Sequence, residues 1–315
     1  MRLTIHAALF ILAGTVGCDP PAATELAAPP PLVKTTPART DTKSGPSIRQ
    51  RLDAISQWPD LVMNELEPLL TDETTFQMAG SISPPIKGKQ AIVALLKRVQ
   101  TEGKRWRLVT SRGIHTAARV GLEFEVVRCD TDQRVVCKET KPGFLFMTIE
   151  GKHIGGIVLY LNPVWQPQPH TLTRRKSIPW VSGRRNPNLE NAFPQIWDGD
   201  LQKLLGQNFH FEDKASGLEL TTREAFIQHR IRHKTFLPKG RCQPVEIHSA
   251  GDIVVALSHC EGVYQRDVVG QGETLSVRVA DIGRFDGLSL VELRSYSNHT
   301  QVKSRLGIEP VNDSD

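Results

Sequence analysis

The sequence predicts an α+β protein built from two tandem units of one fold. The segment LEPLLTDETTF (Leu66 to Phe76) parallels LQKLLGQNFHF (Leu201 to Phe211), and KQAIVALLKRV parallels REAFIQHRIRH, with about 134 residues between the members of each pair. In both halves of the chain, helical patterns come first and long strand-like runs follow, which is the order of an α+β fold. A chain of 315 residues also suits two domains of ordinary size.

The N-terminal part of the chain is expected to precede the folded units. Residues 1–17 carry one Arg and an apolar run from Leu3 to Val16, a pattern that predicts a signal peptide. The small residues before Cys18 resemble a bacterial lipoprotein signal, in which this Cys is lipidated and becomes the mature N-terminus; alternatively, Cys18 lies near an ordinary cleavage site. Residues 18–46 are rich in Pro, Ala and Thr and predict a tether. We therefore expect a cell-envelope protein that is lipid-anchored to a membrane and faces the periplasm.

The first unit, residues 47–162, begins with two helical stretches separated by a proline, Ser47 to Trp58 and Asp60 to Leu70. A β-like segment, Thr74 to Met78, comes next. The helix that begins after Gly88 has its apolar residues at i, i+3, i+4 and i+7. Four strand-like runs complete the unit: Trp106 to Ile114, Val120 to Arg128, Gly143 to Ile149 and Ile154 to Tyr160.

The second unit, residues 186–300, repeats this order. Its helical stretches are Asn188 to Trp197 and Asp198 to Leu205, its β-like segment is Phe209 to Glu212, and its next helix starts with Thr221 and Glu224 at capping-box spacing. The strand-like runs are Gln243 to Ile247, Ile253 to His259, Leu275 to Val279 and Leu288 to Arg294. Residues 163–185, basic and rich in Pro, predict a linker, and residues 301–315 form a C-terminal tail.

The order of elements, together with LLTDETTF and the later GKQAI, resembles the SnoaL-like members of the nuclear transport factor 2 and ketosteroid isomerase superfamily. Asp72, Gly88 and Ile92 fit the family pattern, whereas the second unit has Gln207 and Thr222 at the acidic and glycine places. The resemblance implies two tandem cone-shaped α+β barrels, each with N-terminal helices packed on a curved antiparallel sheet. It also implies a pocket in each barrel.

Alternation along the strands predicts which side chains face that pocket. Val120, Leu122, Phe124 and Val126 are apolar at alternate positions, so we expect this set to face inward. Aligning the units by their Ile-His pairs, Ile114-His115 and Ile247-His248, gives the matching inward set of Ile253, Val255, Leu257 and His259. The same alignment predicts that both isoleucines face inward, that both histidines face outward, and that Cys129 and Cys260 lie on the outer face.

The cysteines predict one disulfide within each unit. Cys129 faces Cys137 if the intervening hairpin turns around Gln133, and Cys242 faces Cys260 if the turn consists of the three residues 250–252. Four cysteines permit three connectivities, so other pairings and free thiols remain alternatives. An oxidising compartment favours the bridges.

Candidate site residues are few. Asp72 is the candidate catalytic residue, because the family's proton transfer next to a carbonyl uses an inward carboxylate; the alternative is that Asp72 only shapes a turn. Tyr160 is a candidate ligand-binding residue or a core aromatic. His259, Arg230 and His233 are expected to line a polar pocket together. His229 and His233 have metal-ligand spacing, but HRIRH lacks the Glu of the zinc-protease motif, and we expect a solvated basic face and no metal or cofactor.

We therefore expect a non-catalytic protein that binds a small or apolar ligand in one or both pockets. The alternatives are an isomerase, cyclase or dehydratase of the SnoaL-like class, and an interaction scaffold in which the two units pair internally. A net charge of +5 that is spread along the chain, with 6% aromatic residues, argues against nucleic-acid binding.

Overall fold

A computed structural model describes residues 50–51, 66–79, 84–102, 106–116, 118–129, 136–161, 170–171, 179–236, 240–264 and 273–297. The predicted signal peptide, the tether with Cys18, the C-terminal tail and most of the first two predicted helices lie outside these residues. In the described part of the chain, no helix has both the length and the apolar composition needed to cross a bilayer.

The first sheet contains eight strands and packs one long helix. Its strands are β1 (Leu70–Met78), β2 (Ile86–Lys87), β3 (Trp106–His115), β4 (Arg119–Cys129), β5 (Val136–Glu150), β6 (His153–Leu161), β7 (His170–Thr171) and β8 (Trp180–Ser182). A 3-10 helix, Glu67–Leu69, precedes β1, and helix α1 (Lys89–Glu102) follows β2. The order is β2-β1-β6-β5-β4-β3-β8, with β7 beside β5. The β1–β6 and β3–β8 pairs are parallel, so the sheet is mixed and not antiparallel throughout as predicted.

The second sheet repeats this topology. Three short helices, α2 (Pro187–Ala192), α3 (Gln195–Asp198) and α4 (Leu201–Leu204), precede it. Its strands are β9 (Leu205–Asp213), β10 (Leu218–Leu220), β11 (Arg241–Ala250), β12 (Ile253–Tyr264), β13 (Glu273–Asp286) and β14 (Ser289–Ser297), and helix α5 (Arg223–Phe236) lies between β10 and β11. The order β10-β9-β14-β13-β12-β11 matches the first six strands of the other sheet. The predicted α+β fold class is confirmed.

Two of the predicted helices in the second unit are shorter than expected. The stretch Asn188 to Trp197 is divided, because Pro194 has no N–H to continue the first helix. The next helix ends before Gly199, and Asp200 caps α4 by accepting a hydrogen bond from the Gln202 amide. The cap of α5 is Thr222 and not the predicted Thr221.

The predicted linker contributes two short strands, β7 and β8, to the first sheet. Trp180–Ser182 pairs in parallel with the end of β3, and its tryptophan lies over Gly113. A Cβ at Gly113 would lie 2.5 Å from the Trp180 ring, so only glycine leaves room for this contact. The boundary predicted at residue 162 therefore cuts the first sheet before its last two strands.

Each sheet packs its helices on one face, which we call the inner face. On the first sheet, Ile92 and Leu95 of α1 pack with Val120, Leu122 and Met147. On the second sheet, the helical residues Leu189, Phe193, Ile196 and Phe226 pack with Val254, Ala256 and Leu293 of the strands.

The opposite, outer faces of the two sheets pack against each other. They form one buried apolar cluster, the shared cluster, which includes Ile114, Phe144, Phe146 and Tyr160 from the first sheet and Ile253, Val255, Ile282 and Tyr296 from the second. Phe144 stacks on Tyr296 with ring centroids 5.6 Å apart, and Phe146 stacks on His248 at 6.0 Å. Apolar burial of this size holds the two sheets together.

The predicted inner set is correct for the first sheet and wrong for the second. Val120 and Leu122 lie in the first inner core, but Ile253, Val255 and Leu257 lie in the shared cluster. The alignment of the two units by their Ile-His pairs is wrong by one residue. Gly113 pairs with inner Leu122 just as Ile247 pairs with inner Ala256, so Ile114 faces outward and His115 inward, contrary to prediction. Ile247 and His248 lie inward and outward as predicted.

A bulge in β11 preserves the predicted disulfide. The β11–β12 hairpin turns through two residues, Gly251 and Asp252, and not through three. The register then shifts between Pro244 and Glu246, which restores the pairing of Cys242 with Cys260. These two cysteines form a disulfide, as predicted. Alternation along β12 places Cys260 on the inner side and not on the predicted outer side.

Cys129 and Cys137 are paired in the backbone register of β4 and β5. Their side chains lie outside the described residues, so the second bridge stays a prediction.

Candidate functional site

The inner face of the second sheet carries a row of polar residues at its centre. Backbone pairing places Asp213 of β9 beside Ser295 of β14, Ser295 beside Asp281 of β13, and Asp281 beside Ala256 of β12. Because directly paired residues point to the same side of a sheet, these four side chains lie on one face. Ala256 belongs to the inner core, which identifies that face as the inner one.

Asp281 is the residue on which this site depends. Its side chain is completely buried, and its Oδ1 accepts a hydrogen bond from the Ser295 hydroxyl. Its Oδ2 is buried and has no hydrogen-bond partner among the described residues. Burial raises the pKa of Asp281 from its usual 3.8 to about 7, although the Ser295 hydrogen bond and the positive charge of Arg230 oppose this shift. The carboxyl group can therefore both donate and accept a proton near neutral pH.

Arg230 approaches the site from α5. Its guanidinium carbon lies 4.7 Å from the centroid of the Trp197 ring, a cation–π contact that holds the long side chain against α3. The helix itself is fixed on the sheet by Phe226, whose ring lies 5.0 Å from that of Phe209 and 4.8 Å from that of Phe211.

Two further polar groups complete the surroundings. Asp213 is held in the β9–β10 turn, where its oxygens accept hydrogen bonds from the Ala215 amide at 2.9 Å and the Ser216 hydroxyl at 2.8 Å. Its negative charge adds to the rise in the pKa of Asp281. Ser258 lies on β12, two residues from Ala256, and its buried Oγ has no hydrogen-bond partner in the described part of the chain. Buried polar atoms without partners are rare in native proteins and need an explanation.

The first sheet has leucines where the second has this polar row. The residues of the first sheet that match Asp213, Ser295, Asp281 and Ala256 are Met78, Leu159, Leu145 and Leu122, which are paired in the same order. All four are apolar and lie in the inner core or pack against it. The fold therefore does not require a polar residue at these positions. The two aspartates and the serine of this row are a specialisation of the second unit.

The structure separates the three residues that the sequence placed together. Arg230 acts on Asp281 through its charge, as described above. His259 lies on the outer face of β12 with a partly exposed side chain, and its Nε2 is 2.7 Å from the Ser276 hydroxyl. Its predicted inward position is wrong because the Ile-His pairs used for the alignment differ by one residue in strand register. The side chain of His233 lies outside the described residues. His229 packs 6.1 Å from the Phe211 ring, so it is not purely a solvated side chain.

The remaining predicted residues lie elsewhere. Asp72 is exposed on β1 of the first sheet. Tyr160 is buried in the shared cluster, where burial raises the pKa of its phenol. Neither residue lies on the inner face of the second sheet.

Sequence reasoning missed Asp281 because the predicted strand Leu275 to Val279 ended two residues too early. The available signal was an acidic residue within the strand-like run SVRVADIGRF, between Ala280 and Ile282. Both neighbours face the shared cluster, so alternation places the acid between them on the inner side.

A second buried carboxylate, Glu123, lies between the two sheets. Its Oε1 accepts a hydrogen bond from the Tyr296 hydroxyl at 2.9 Å and lies 3.1 Å from Arg294, while its Oε2 lies 3.5 Å from Arg112. Burial raises the pKa of Glu123, and the charges of Arg294 and Arg112 oppose that rise. Oε2 of Glu123 has no hydrogen-bond partner among the described residues, but each of its oxygens has a cationic neighbour, so Glu123 joins the sheets through ion pairs.

One cluster in the described residues has the donor types of a metal site. His210, Glu212 and Glu219 offer ligand atoms within 4.8 Å of one another on the β9–β10 hairpin. His210 already lies 2.9 Å from Glu219, and Lys214 forms an ion pair with Glu212. A cation would have to displace that ammonium group, so the arrangement is an ion-pair network as it stands.

No protein-family model matches the sequence, and no curated protein matches it. Several solved structures are similar to part of the chain. A Jannaschia sp. CCS1 protein assigned as a SnoaL-like polyketide cyclase has 14% identity and a TM-score of 0.36, over 41% of this chain and 100% of its own. A Catenulispora acidiphila protein with a ketosteroid isomerase-like fold, solved with trimethylamine, has 20% identity and a TM-score of 0.34, over 39% of this chain and 95% of its own. IdmH from Streptomyces antibioticus, assigned as a polyketide cyclase, has 16% identity and a TM-score of 0.34, over 38% of this chain and 96% of its own.

Proposed function

We propose that the second unit binds a small molecule on the inner face of its sheet, with Asp281 as the residue that contacts the ligand. The observation that carries this proposal is the buried Oδ2 of Asp281, which has no hydrogen-bond partner among the described residues. An unsatisfied buried oxygen costs about 1–3 kcal/mol, and a ligand that donates to it or accepts from it removes that cost. The unpaired hydroxyl of Ser258 offers a second contact on the same face.

The chemistry of the ligand follows from these groups. A protonated Asp281 donates a hydrogen bond to a carbonyl or hydroxyl oxygen, and the ionised form accepts one from a hydroxyl group. The surrounding inner core is apolar. The ligand class is therefore a small, largely apolar molecule that carries at least one oxygen function.

Proton-transfer catalysis is the second candidate function. A carboxyl group with a pKa of about 7 in an apolar surrounding suits a general acid or base, and Arg230 supplies positive charge nearby. This candidate corresponds to the isomerase, cyclase or dehydratase alternative, with Asp281 in the role first considered for Asp72. The scaffold alternative expects the two units to pair internally, and the packing of the outer faces of the two sheets in the shared cluster supports that part of it.

The test is native mass spectrometry of full-length protein exported to the periplasm of an expression host. We expect a retained small molecule on the wild-type protein, and its loss in Asp281→Leu, which introduces the residue found at the matching position of the first sheet. Asp286→Asn, an exposed position on the same strand, is the matched control and should retain the ligand. Equal retention by Asp281→Leu would refute the assignment of the site. A change of the retained molecule to a product on incubation, lost in Asp281→Asn, would support catalysis.

The proposal also includes the cellular location and the origin of the two units. A lipid anchor on Cys18, followed by a tether, would hold both units at the periplasmic face of a membrane. Labelled palmitate should enter the wild-type protein and not Cys18→Ala; unchanged labelling of that variant would refute the anchor. The identical strand order of the sheets supports a duplicated SnoaL-like unit.

A further inference from the structure

Asp281 is enclosed in this structure, although the proposed function requires a ligand to reach it. Its side chain is completely buried, and Ser258, the second proposed contact, is only 2% exposed. Enclosed sites admit small molecules through local opening, in which a covering element moves while the core stays folded. The covering residues that adjoin both Asp281 and solvent are therefore the ones expected to move.

Two separate helical elements cover the inner face around Asp281. Phe193, directly after α2, lies over Gly283, where a Cβ would be 2.5 Å from its ring. Gly283 is two residues from Asp281 on β13, so both residues are on the same face. The other element is α5, which Phe226 fixes on two phenylalanines of β9. Phe193 and Phe226 are both buried, so each element has a firm aromatic attachment to the sheet.

The two elements meet where the Trp197 ring of α3 faces the guanidinium group of Arg230 on α5, whose central carbon lies 4.7 Å from the ring centroid. Both side chains are partly exposed, unlike Phe193 and Phe226. Arg230 also lies close enough for its positive charge to act on Asp281. The contact thus lies between solvent and the carboxyl group.

The chain around Trp197 allows this side chain to move while the core stays intact. Helix α3 has only four residues, and it is bounded by Pro194, which has no N–H group, and by Gly199. Ile196 of the same helix is buried in the inner core and keeps the helix attached. A partly exposed cation–π contact is weak compared with apolar anchoring of this kind. Movement is therefore expected at the Trp197 and Arg230 side chains.

The first unit again provides an internal comparison. The parallel between KQAIVALLKRV and REAFIQHRIRH places Leu96 of α1 at the position of Arg230. Leu96 packs against the apolar inner core of the first sheet. The fold can therefore be built with an apolar residue at this position, and the cation occurs in the unit that has the buried acid.

We propose that the side chains of Trp197 and Arg230 form a gate to the Asp281 site, closed in this structure and open when the two side chains separate. What passes through the gate rests on the proposed function, whereas the opening itself is a property of the protein without ligand. Closing behind a ligand excludes water from the carboxyl group, which strengthens its hydrogen bond to the ligand.

The experiment measures the opening by cysteine labelling of the full-length protein. Ala256→Cys places a thiol beside Asp281 on the inner face, and Ala280→Cys places one in the shared cluster on the outer face. Both alanines are 0% exposed, so iodoacetamide reacts with either thiol only after an opening. Peptide mass spectrometry gives the rate at each position separately from the natural cysteines. Val254→Cys, also buried in the inner core, replaces Ala256→Cys if that variant does not fold.

Variants of the gate are combined with each reporter cysteine. Trp197→Leu and Arg230→Met should each raise the labelling rate at position 256 by about three- to thirtyfold, which corresponds to the loss of one cation–π contact. Arg230→Lys keeps a cation at the ring and should stay within about threefold of the parent. Labelling at position 280 should not change. An unchanged rate at position 256 in Trp197→Leu and Arg230→Met would overturn the proposal, as would equal acceleration at positions 256 and 280, which indicates a general loss of stability.

Failure of the gate can be distinguished from failure of the proposed function, because no ligand is present during labelling. Unchanged labelling at position 256, together with a molecule that is retained by the wild type and lost in Asp281→Leu, would refute the gate alone. Accelerated labelling at position 256 in a protein that retains no molecule would support the gate and count against the ligand site.

Discussion

Asp281 and Leu145 occupy the same register position in the two sheets. Their partners on the neighbouring strands are Ala256 and Ser295 for Asp281, and Leu122 and Leu159 for Leu145. Where the first sheet has three leucines in its core, the second has an acid, a hydroxyl and a methyl side chain. The first sheet therefore shows that the fold can be built with leucine at this position.

Asp281→Leu is expected to stabilise the protein. It removes a buried carboxyl group with an unsatisfied oxygen and introduces the residue that the first sheet buries at the matching position. We expect the free energy of unfolding at pH 8 to rise by about 1–4 kcal/mol, measured by urea denaturation. The reverse change, Leu145→Asp, should lower it by several kcal/mol. A loss of stability in Asp281→Leu would show that the acid has a structural role.

The stability of the wild-type protein should depend on pH through Asp281. Its pKa is about 7 in the folded chain against a usual 3.8, so the folded state binds the proton more tightly. The contribution of this group is fully present below about pH 4 and is lost as pH rises to about 7, with a total change of about 4 kcal/mol. Asp281→Asn should remove this dependence, whereas Asp286→Asn should keep it. Unfolding curves at several pH values test this, and parallel pH profiles of wild type and Asp281→Asn would contradict it.

Glu123 and Arg294 should be strongly coupled across the two sheets. Replacing either one leaves the other charge buried, so Glu123→Leu and Arg294→Met should each cost about 3–5 kcal/mol. The double variant should lose less than the sum, because it leaves neither charge unpaired. The less buried pair of Arg119 and Glu246, which also joins the sheets, is the control and should show a coupling of about 1 kcal/mol. Additive losses for Glu123 and Arg294 would mean that the ion pair does not join the sheets in solution.

The disulfide between Cys242 and Cys260 should contribute measurably to stability. The two residues are 18 apart in sequence, and closing a loop of this length restricts the unfolded chain by about 3 kcal/mol. The double variant Cys242→Ser, Cys260→Ser should lose about that amount in urea denaturation. The same measurement on Cys129→Ser, Cys137→Ser tests the second predicted bridge, and a free-thiol count by mass spectrometry checks both. No loss in the first double variant would contradict the expected effect.

The sequence predicts the fold class and most strand positions well, because apolar alternation and the internal repeat are local signals. It does not predict the face of each strand in the second unit. The Ile-His pairs by which the units were aligned differ by one residue in strand register, and a shift of one residue exchanges the two faces. This difference led to the wrong orientation of His259.

The candidate site was predicted only in part. Arg230 lies on a helix that the sequence pattern predicts, and its role in binding a ligand stays a prediction. Asp281 was missed because its significance depends on pairing with Ser295 and on burial by α5, which are contacts between segments far apart in the chain. Long-range pairing of this kind is not encoded in any short stretch of sequence.

The short strand Trp180–Ser182 has a consequence for how the protein is made and divided. During synthesis, the first sheet cannot gain this edge strand until the chain has extended well beyond residue 162. Two residues after the strand, the Arg184 carbonyl accepts a hydrogen bond from the Gly251 amide of the second sheet. Residues 180–184 thus contact both sheets. A fusion or truncation cut at residue 162 would expose Gly113 and its neighbours to solvent, so an expression boundary for the first half belongs after Ser182.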